Sequence, residues 1–153
     1  MRPLTPMLEY RIALPPYDPS LLEELHRLGT QVLGGLDRGE LEWRLTRMPD
    51  PSVQLAVADE LVGFKLGYAT ARERYHSWLG GVRSDWRRRG VALRLMAAQH
   101  DWLRERGYAA VETATTPDNV AMFSLNLRAG FRVIGSYCRG DYLRVTLAKN
   151  LRS

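Results

Sequence analysis

The sequence predicts a mixed α/β sandwich, and three observations carry that reading. Apolar runs of strand length alternate with segments of helical periodicity. Antiparallel pairs joined by short turns occur at either end, and the strongest helix follows a strand that contains two glycines. The 153 residues, 45% of them hydrophobic, suffice for one core. No repeat, low-complexity tract or linker divides them, so residues 1–153 read as a single domain.

After a proline-bearing start, Glu9 to Leu14 reads as a short strand. Asp18 suits the N-cap of a first helix, and Pro19 its first position, where no N–H is needed. Leu21, Leu22, Leu25, Leu28 and Val32 keep helical spacing until Gly34-Gly35. Asp37 with Glu40 resembles a capping box for a second helix, which ends at Met48 before Pro49 and Pro51. Val53 to Ala58 and Leu61 to Thr70 form a hairpin about Asp59-Glu60. His76 to Val82 is the next strand, and its Gly80-Gly81 pair marks a bulge or a close approach to the backbone.

The long helix runs from about Gly90 to Arg106, with Ala92, Leu95, Met96, Gln99, Trp102 and Leu103 on one face. Gly107 stops it, and Tyr108 to Thr115 reads as a buried strand. Thr116-Pro117-Asp118-Asn119 opens a shorter helix ending at Ala129-Gly130. Phe131 to Tyr137 and Tyr142 to Leu147 close the chain as a hairpin.

The composition excludes several classes. No apolar run exceeds four residues, which is far below a membrane span. Cys138, the one cysteine, cannot form an internal disulfide, which suits a reducing cytoplasm. The net charge of +5 is concentrated: Arg83, Arg87, Arg88, Arg89 and Arg94 against Asp85 put +4 between residues 83 and 94. A coat for nucleic acid would spread along a face, so a local anion is expected and nucleic acid is not. The start of a helix leaves amides unpaired, and with its dipole it favours an anion such as phosphate. On spacing alone, a merely solvated basic turn fits equally well.

Arg87-x-x-Gly90-x-Ala92, between a strand and a long helix, resembles the Q/R-x-x-G-x-G/A motif of the GNAT N-acetyltransferases. The stretch from Asn119 through Asn126 to Gly130-Phe131 resembles the family's N-x-x-A-x-x-L-Y-x-K-x-G-F block. The resemblance covers residues 53–147, with the helices of residues 18–50 as the variable acceptor side. It implies a mostly antiparallel central sheet flanked by helices, with a splayed strand pair that admits acetyl-coenzyme A, and no metal. Backbone amides from Arg88 through Arg89, Gly90 and Val91 to Ala92 would hold the pyrophosphate, with Arg83, Arg87 and their neighbours adding charge. Val82 would pair with the pantetheine arm. Asn119 suits either an ordinary N-cap or a bond to that arm, and Asn126 is placed beside the thioester.

The implied reaction is transfer of acetyl to a primary amine by direct attack through a tetrahedral intermediate. The family's tyrosine acid is replaced by Asn126, which cannot supply a proton, and Tyr137, Tyr142 and Ser124 are the substitutes in view. Counting eleven residues back from Arg87, where one branch of the family has a glutamate, gives His76 as base. Glu112 and Glu73 are weaker candidates, and Trp78 would share the face of His76. His26, His100 and Cys138 read as packing or surface residues. The acceptor is a small-molecule or peptide amine, and the family leaves a homodimer open. The competing reading is a non-catalytic acyl-coenzyme A sensor, which Asn126 favours.

Overall fold

The strands expected from the sequence form one sheet in the computed structural model, which describes residues 7–152. The proline-bearing start at residues 1–6 lies outside the described residues. In chain order the strands are β1 (Glu9–Ala13), β2 (Ser52–Val57), β3 (Leu61–Ala71), β4 (Arg74–Val82), β5 (Ala110–Thr115), β6 (Arg132–Arg139) and β7 (Tyr142–Asn150). The helices are α1 (Pro19–Leu33), α2 (Arg38–Arg47), α3 (Val91–Glu105) and α4 (Val120–Arg128). Across the sheet the order is β1-β2-β3-β4-β5-β7-β6. Every neighbouring pair is antiparallel except β4 and β5, which run parallel and need the α3 crossover between them.

The helix starts follow the predicted chemistry. Asp18 Oδ1 accepts the Ser20 amide at 3.0 Å and Asp37 Oδ1 the Glu40 amide at 2.7 Å. The capping box at Asp37 is only half formed, because the Glu40 carboxylate turns to Arg44 Nε at 2.6 Å. One face of the sheet packs under α1 and α2 through Leu25, Leu41, Leu45, Phe64 and Leu66. The other packs under α3 through Tyr75, Met96, Leu103, Val111 and Leu147. Trp86, in a short 3-10 turn (Ser84–Trp86) that the sequence did not announce, joins Val62, Val82, Val91 and Leu95 in a third cluster. It anchors the loop before α3. No helix of the described residues is long and apolar enough to cross a membrane.

The feature that positions the site is the parting of β4 from β5. Their pairing covers only Arg74↔Ala110, Tyr75↔Val111 and His76↔Glu112, although both strands continue. The last link is Thr113 Oγ1 donating to the Ser77 carbonyl at 3.0 Å. Beyond it, Leu66 opposes Leu79 while Gly67 opposes Ser77, so Trp78 is the extra residue of a bulge in β4. A bulge bends its strand and raises the local twist, which turns the end of β4 away from β5.

Candidate active site

The backbone of β4 beyond the bulge faces an open gap. Val82 stands opposite Gly63, and the flanking bond from the Arg83 amide to the Val62 carbonyl at 2.8 Å makes this a non-hydrogen-bonded pair. The N–H and C=O of Val82 therefore point away from β3, toward the side that β5 has left. Gly80, two residues back and opposite Lys65, has the same orientation. Arg87 Nε donates to the Val82 carbonyl at 3.2 Å, while no protein acceptor meets the Val82 amide among the described residues.

The two glycines of β4 serve different ends. A Cβ at Gly81 would lie 2.5 Å from Val32 Cγ2, so the close approach inferred from sequence comes from α1. At Gly80 a Cβ would lie 3.5 Å from Lys65 Nζ, an ordinary contact.

A cleft of about 390 Å³ opens along this edge, walled by Phe64, Gly80 and Val82 of the sheet, Val32 and Leu33 of α1, and residues of α3 and α4. A second cavity of about 390 Å³ adjoins it at the start of α3, lined by Val82, Arg87, Arg88, Gly90, Ala92 and Arg128 among others. Here Arg88 (φ 62°) and Gly90 (φ 77°) are left-handed and flank Arg89, which turns the chain sharply into the helix. Among the described residues the amides from Arg88 to Leu93 meet no protein acceptor, and the first return bond is the Arg94 amide to the Gly90 carbonyl at 3.0 Å. Six consecutive donors at a helix N-terminus, beside guanidiniums, form a receptor for a phosphate or diphosphate. The apolar cleft that continues from it fits a narrow, mostly uncharged chain. Together these donors and walls fit coenzyme A.

The structure sorts the arginines that the sequence could not. Arg87 and Arg88 line the cavities, and Arg128 joins them from the last turn of α4. Arg83 is engaged elsewhere, with Asp85 at 2.7 Å and Glu60 at 3.5 Å. Arg89 lies over the Trp86 ring and Arg94 over Tyr10, at 4.8 and 4.6 Å from the ring centroids. Asn119 caps α4, its Oδ1 accepting the Met122 amide at 3.3 Å, and it also lines the cleft. Asn126, expected beside the thioester, is buried and absent from both cavity walls, where Leu125 stands instead.

His76 and Glu112 are the last paired residues before the strands part, so they mark the vertex of the gap. His76 lies with Tyr68 (ring centroids 5.4 Å apart), and Trp78 lies 6.3 Å from Tyr68, which confirms the shared aromatic face. Arg44 of α2 stacks over Trp78 at 4.7 Å and donates to the Tyr68 hydroxyl. Burial, and then the positive charges of Arg44, Arg144 and Lys65, push the His76 imidazole down to about 4. It is neutral near pH 7 and holds a free lone pair. Glu112 is held by Arg74 at 3.5 Å. Tyr142 and Cys138 lie exposed on the β6–β7 hairpin, outside both cavities. Among the described residues no cluster of three His, Cys, Asp or Glu side chains could hold a metal ion.

Sequence reading missed Lys65, Arg128 and the apolar walls. Lys65 carried the one available signal, a lone lysine inside an otherwise apolar strand.

Comparison with known proteins agrees with this geometry. No curated protein matches the chain by sequence. Solved structures do match its fold. The ribosomal-protein-S18-alanine N-acetyltransferase of Escherichia coli superposes with a TM-score of 0.79 at 14% identity, over 94% of each chain. An aminoglycoside 6′-N-acetyltransferase complexed with coenzyme A gives 0.77 at 18% identity, over 94% of this chain and 98% of that one. Arabidopsis thaliana NAA60 in complex with acetyl-CoA gives 0.79 at 15% identity, over 96% and 100%. The model of the Acetyltransferase (GNAT) family matches residues 18–131, most of the chain, including the amide row before α3 and the capped start of α4. The chain belongs to the acetyltransferase (GNAT) family.

Proposed function

We propose that the protein transfers an acetyl group from acetyl-coenzyme A to a primary amine that attacks directly. The observation that carries this reading is the continuity of the free amide row at Arg88–Leu93 with the gap beside Gly80 and Val82. Bound acetyl-coenzyme A supplies an acetyl group activated as a thioester. The amide row, Arg87, Arg88 and Arg128 hold its diphosphate. The Val82 and Gly80 backbone and the Asn119 amide align the arm, and Met96, Met122 and Leu125 keep water from it. His76, neutral at the vertex of the gap, accepts the proton of the incoming amine directly or through one water, with Glu112 beside it.

Calorimetry with acetyl-coenzyme A and detection of released thiol across a panel of amines test the reading. Micromolar binding with transfer to at least one amine is expected. Absence of binding overturns the proposal, and binding without transfer supports the sensor reading instead.

A further inference from the structure

In the cleft beside β4, Lys65 and Arg87 are, among the described residues, the lining residues with ionisable side chains, and an arginine does not release its proton near neutrality. Lys65 sits on β3 opposite Gly80, with its ammonium over the α-carbon where the absence of a side chain leaves room for it. Gly80 is also the cleft residue nearest the bulge, the far end of the gap from the diphosphate donors. No carboxylate pairs with Lys65 among the described residues. The charged or titratable groups it senses are His76 on β4 and His100 on α3, both neutral near pH 7, with Arg87 in the same cleft. Burial pulls its ammonium down to about 8, so it gives up a proton far more readily than an ordinary lysine.

We propose that Lys65 is the general acid of the transfer, giving its proton to the sulfur of the departing coenzyme A. This rests on the function proposed above. As the amine nitrogen bonds to the acetyl carbon, the carbon–sulfur bond breaks with its electron pair on sulfur. Lys65 protonates that sulfur, the proton lost by the amine passes to His76 or water, and Lys65 recovers a proton from solvent through the open cleft. The position that the family's motif assigns to an acid holds Asn126, outside the cleft walls. Lys65 fills the missing role from a different strand.

The test is an ultraviolet titration of the thiol of coenzyme A bound to the intact protein, which needs no turnover. In the wild type the bound thiol titrates about one pH unit below its free value, because an ammonium stabilises the thiolate. Lys65→Met abolishes that shift while changing coenzyme A affinity less than about threefold, since the diphosphate donors are untouched. Lys65→Arg keeps the shift but lowers turnover about 100-fold, because a guanidinium retains the charge and does not give up its proton. An unshifted thiol in the wild-type complex overturns the role of Lys65. So does full turnover in Lys65→Met, or acetylation of Lys65 itself, read by mass spectrometry after incubation with acetyl-coenzyme A. Failure of the wild type to bind coenzyme A at all overturns the proposed function instead, so the two failures are distinct.

Discussion

Arg87 Nε donates to the carbonyl of Val82 at 3.2 Å, tying the last residue of β4 to the loop that opens α3. This bond occupies the one acceptor that Val82 turns toward the gap and leaves its amide as the donor offered there. Arg87 thus shapes the strand end and adds positive charge to both cavities. A charge-assisted hydrogen bond contributes roughly 1.5–3 kcal/mol, so Arg87→Met is expected to weaken coenzyme A binding about tenfold or more. Arg83→Met, which removes a guanidinium already bound to Asp85, is expected to change it less than about twofold. Calorimetry at two salt concentrations decides this, with a shallower salt dependence expected for Arg87→Met. Equal effects at the two positions would refute the sorting of the arginines.

Gly81 and Val32 form a second such pair, this one structural. A Cβ at position 81 would stand 2.5 Å from Val32 Cγ2 and 3.2 Å from the Phe64 ring. Overpacking of this kind costs about 1–3 kcal/mol, so Gly81→Ala is expected to lower the urea midpoint measurably. Removing the obstructing methyl should restore part of it, and Gly81→Ala with Val32→Ala is expected to be non-additive. Strict additivity in the double-mutant cycle would show that the two sites do not touch.

Gly90 is needed for another reason. No heavy atom of the described residues, its chain neighbours aside, lies within 4 Å of where its Cβ would be, yet its φ of 77° is left-handed. A side chain there meets backbone strain of about 1–2 kcal/mol and no clash. Gly90→Gln and Gly90→Glu share that strain and differ in one negative charge beside the amide row. Glu is therefore expected to weaken coenzyme A binding at least about tenfold more than Gln, the charge–dipole term of up to ~2 kcal/mol now opposing the diphosphate. Indistinguishable dissociation constants would remove the anion cradle from the start of α3.

The sequence disclosed the elements and the unpaired amides at the start of α3 more readily than the chemistry. Apolar periodicity and turn residues located α3 to within a residue, because Gly90 and Gly107 bracket it. Residues joined through space were hidden. Arg83 and Arg87 look alike in a basic run, and only the fold brings Glu60 from the β2–β3 turn to one of them. Lys65 passed as part of an apolar strand, since the alternation that turns it toward α3 becomes informative only once the gap beside Gly80 is known. Asn126 is the reverse case: its motif position was plain, but the packing that buries it was not.

Two histidines are expected to set the acid limb of stability. His76 is held down to about 4, chiefly by burial and then by Arg44, Arg144 and Lys65. His100 is held down to about 3 by burial, Lys149, Lys65 and Arg104, with Lys149 Nζ 3.2 Å from its Nδ1. Both lie below the unfolded value of about 6.5, so between these limits the unfolded chain binds protons that the folded chain refuses. Their contribution is complete above about pH 6.5 and is lost as pH falls toward about 4 and 3, at up to about 1.4 kcal/mol per pH unit for each. Urea denaturation across this range should show the slope, and His100→Gln should flatten it whatever its effect at neutrality. An unchanged slope in that variant would mean that His100 is protonated in the folded protein.

The depressed His76 also makes a statement about catalysis. A base that stays neutral down to about 4 leaves the rate without the inflection near 6.5 that an unperturbed histidine gives. His76→Ala is expected to lower kcat about 100-fold or more while leaving coenzyme A affinity unchanged, because His76 is not part of the cleft wall. Arg44→Met separates a base from a packing residue. Loss of the guanidinium that faces the Tyr68–Trp78 cluster lets the imidazole protonate more readily, so the acid limb of the kcat profile moves to higher pH. A purely structural His76 would give a lower rate in both variants with no movement of that limb. Retention of full kcat in His76→Ala would pass the role of base to Glu112, whose Cα pairs with His76 across the vertex of the gap.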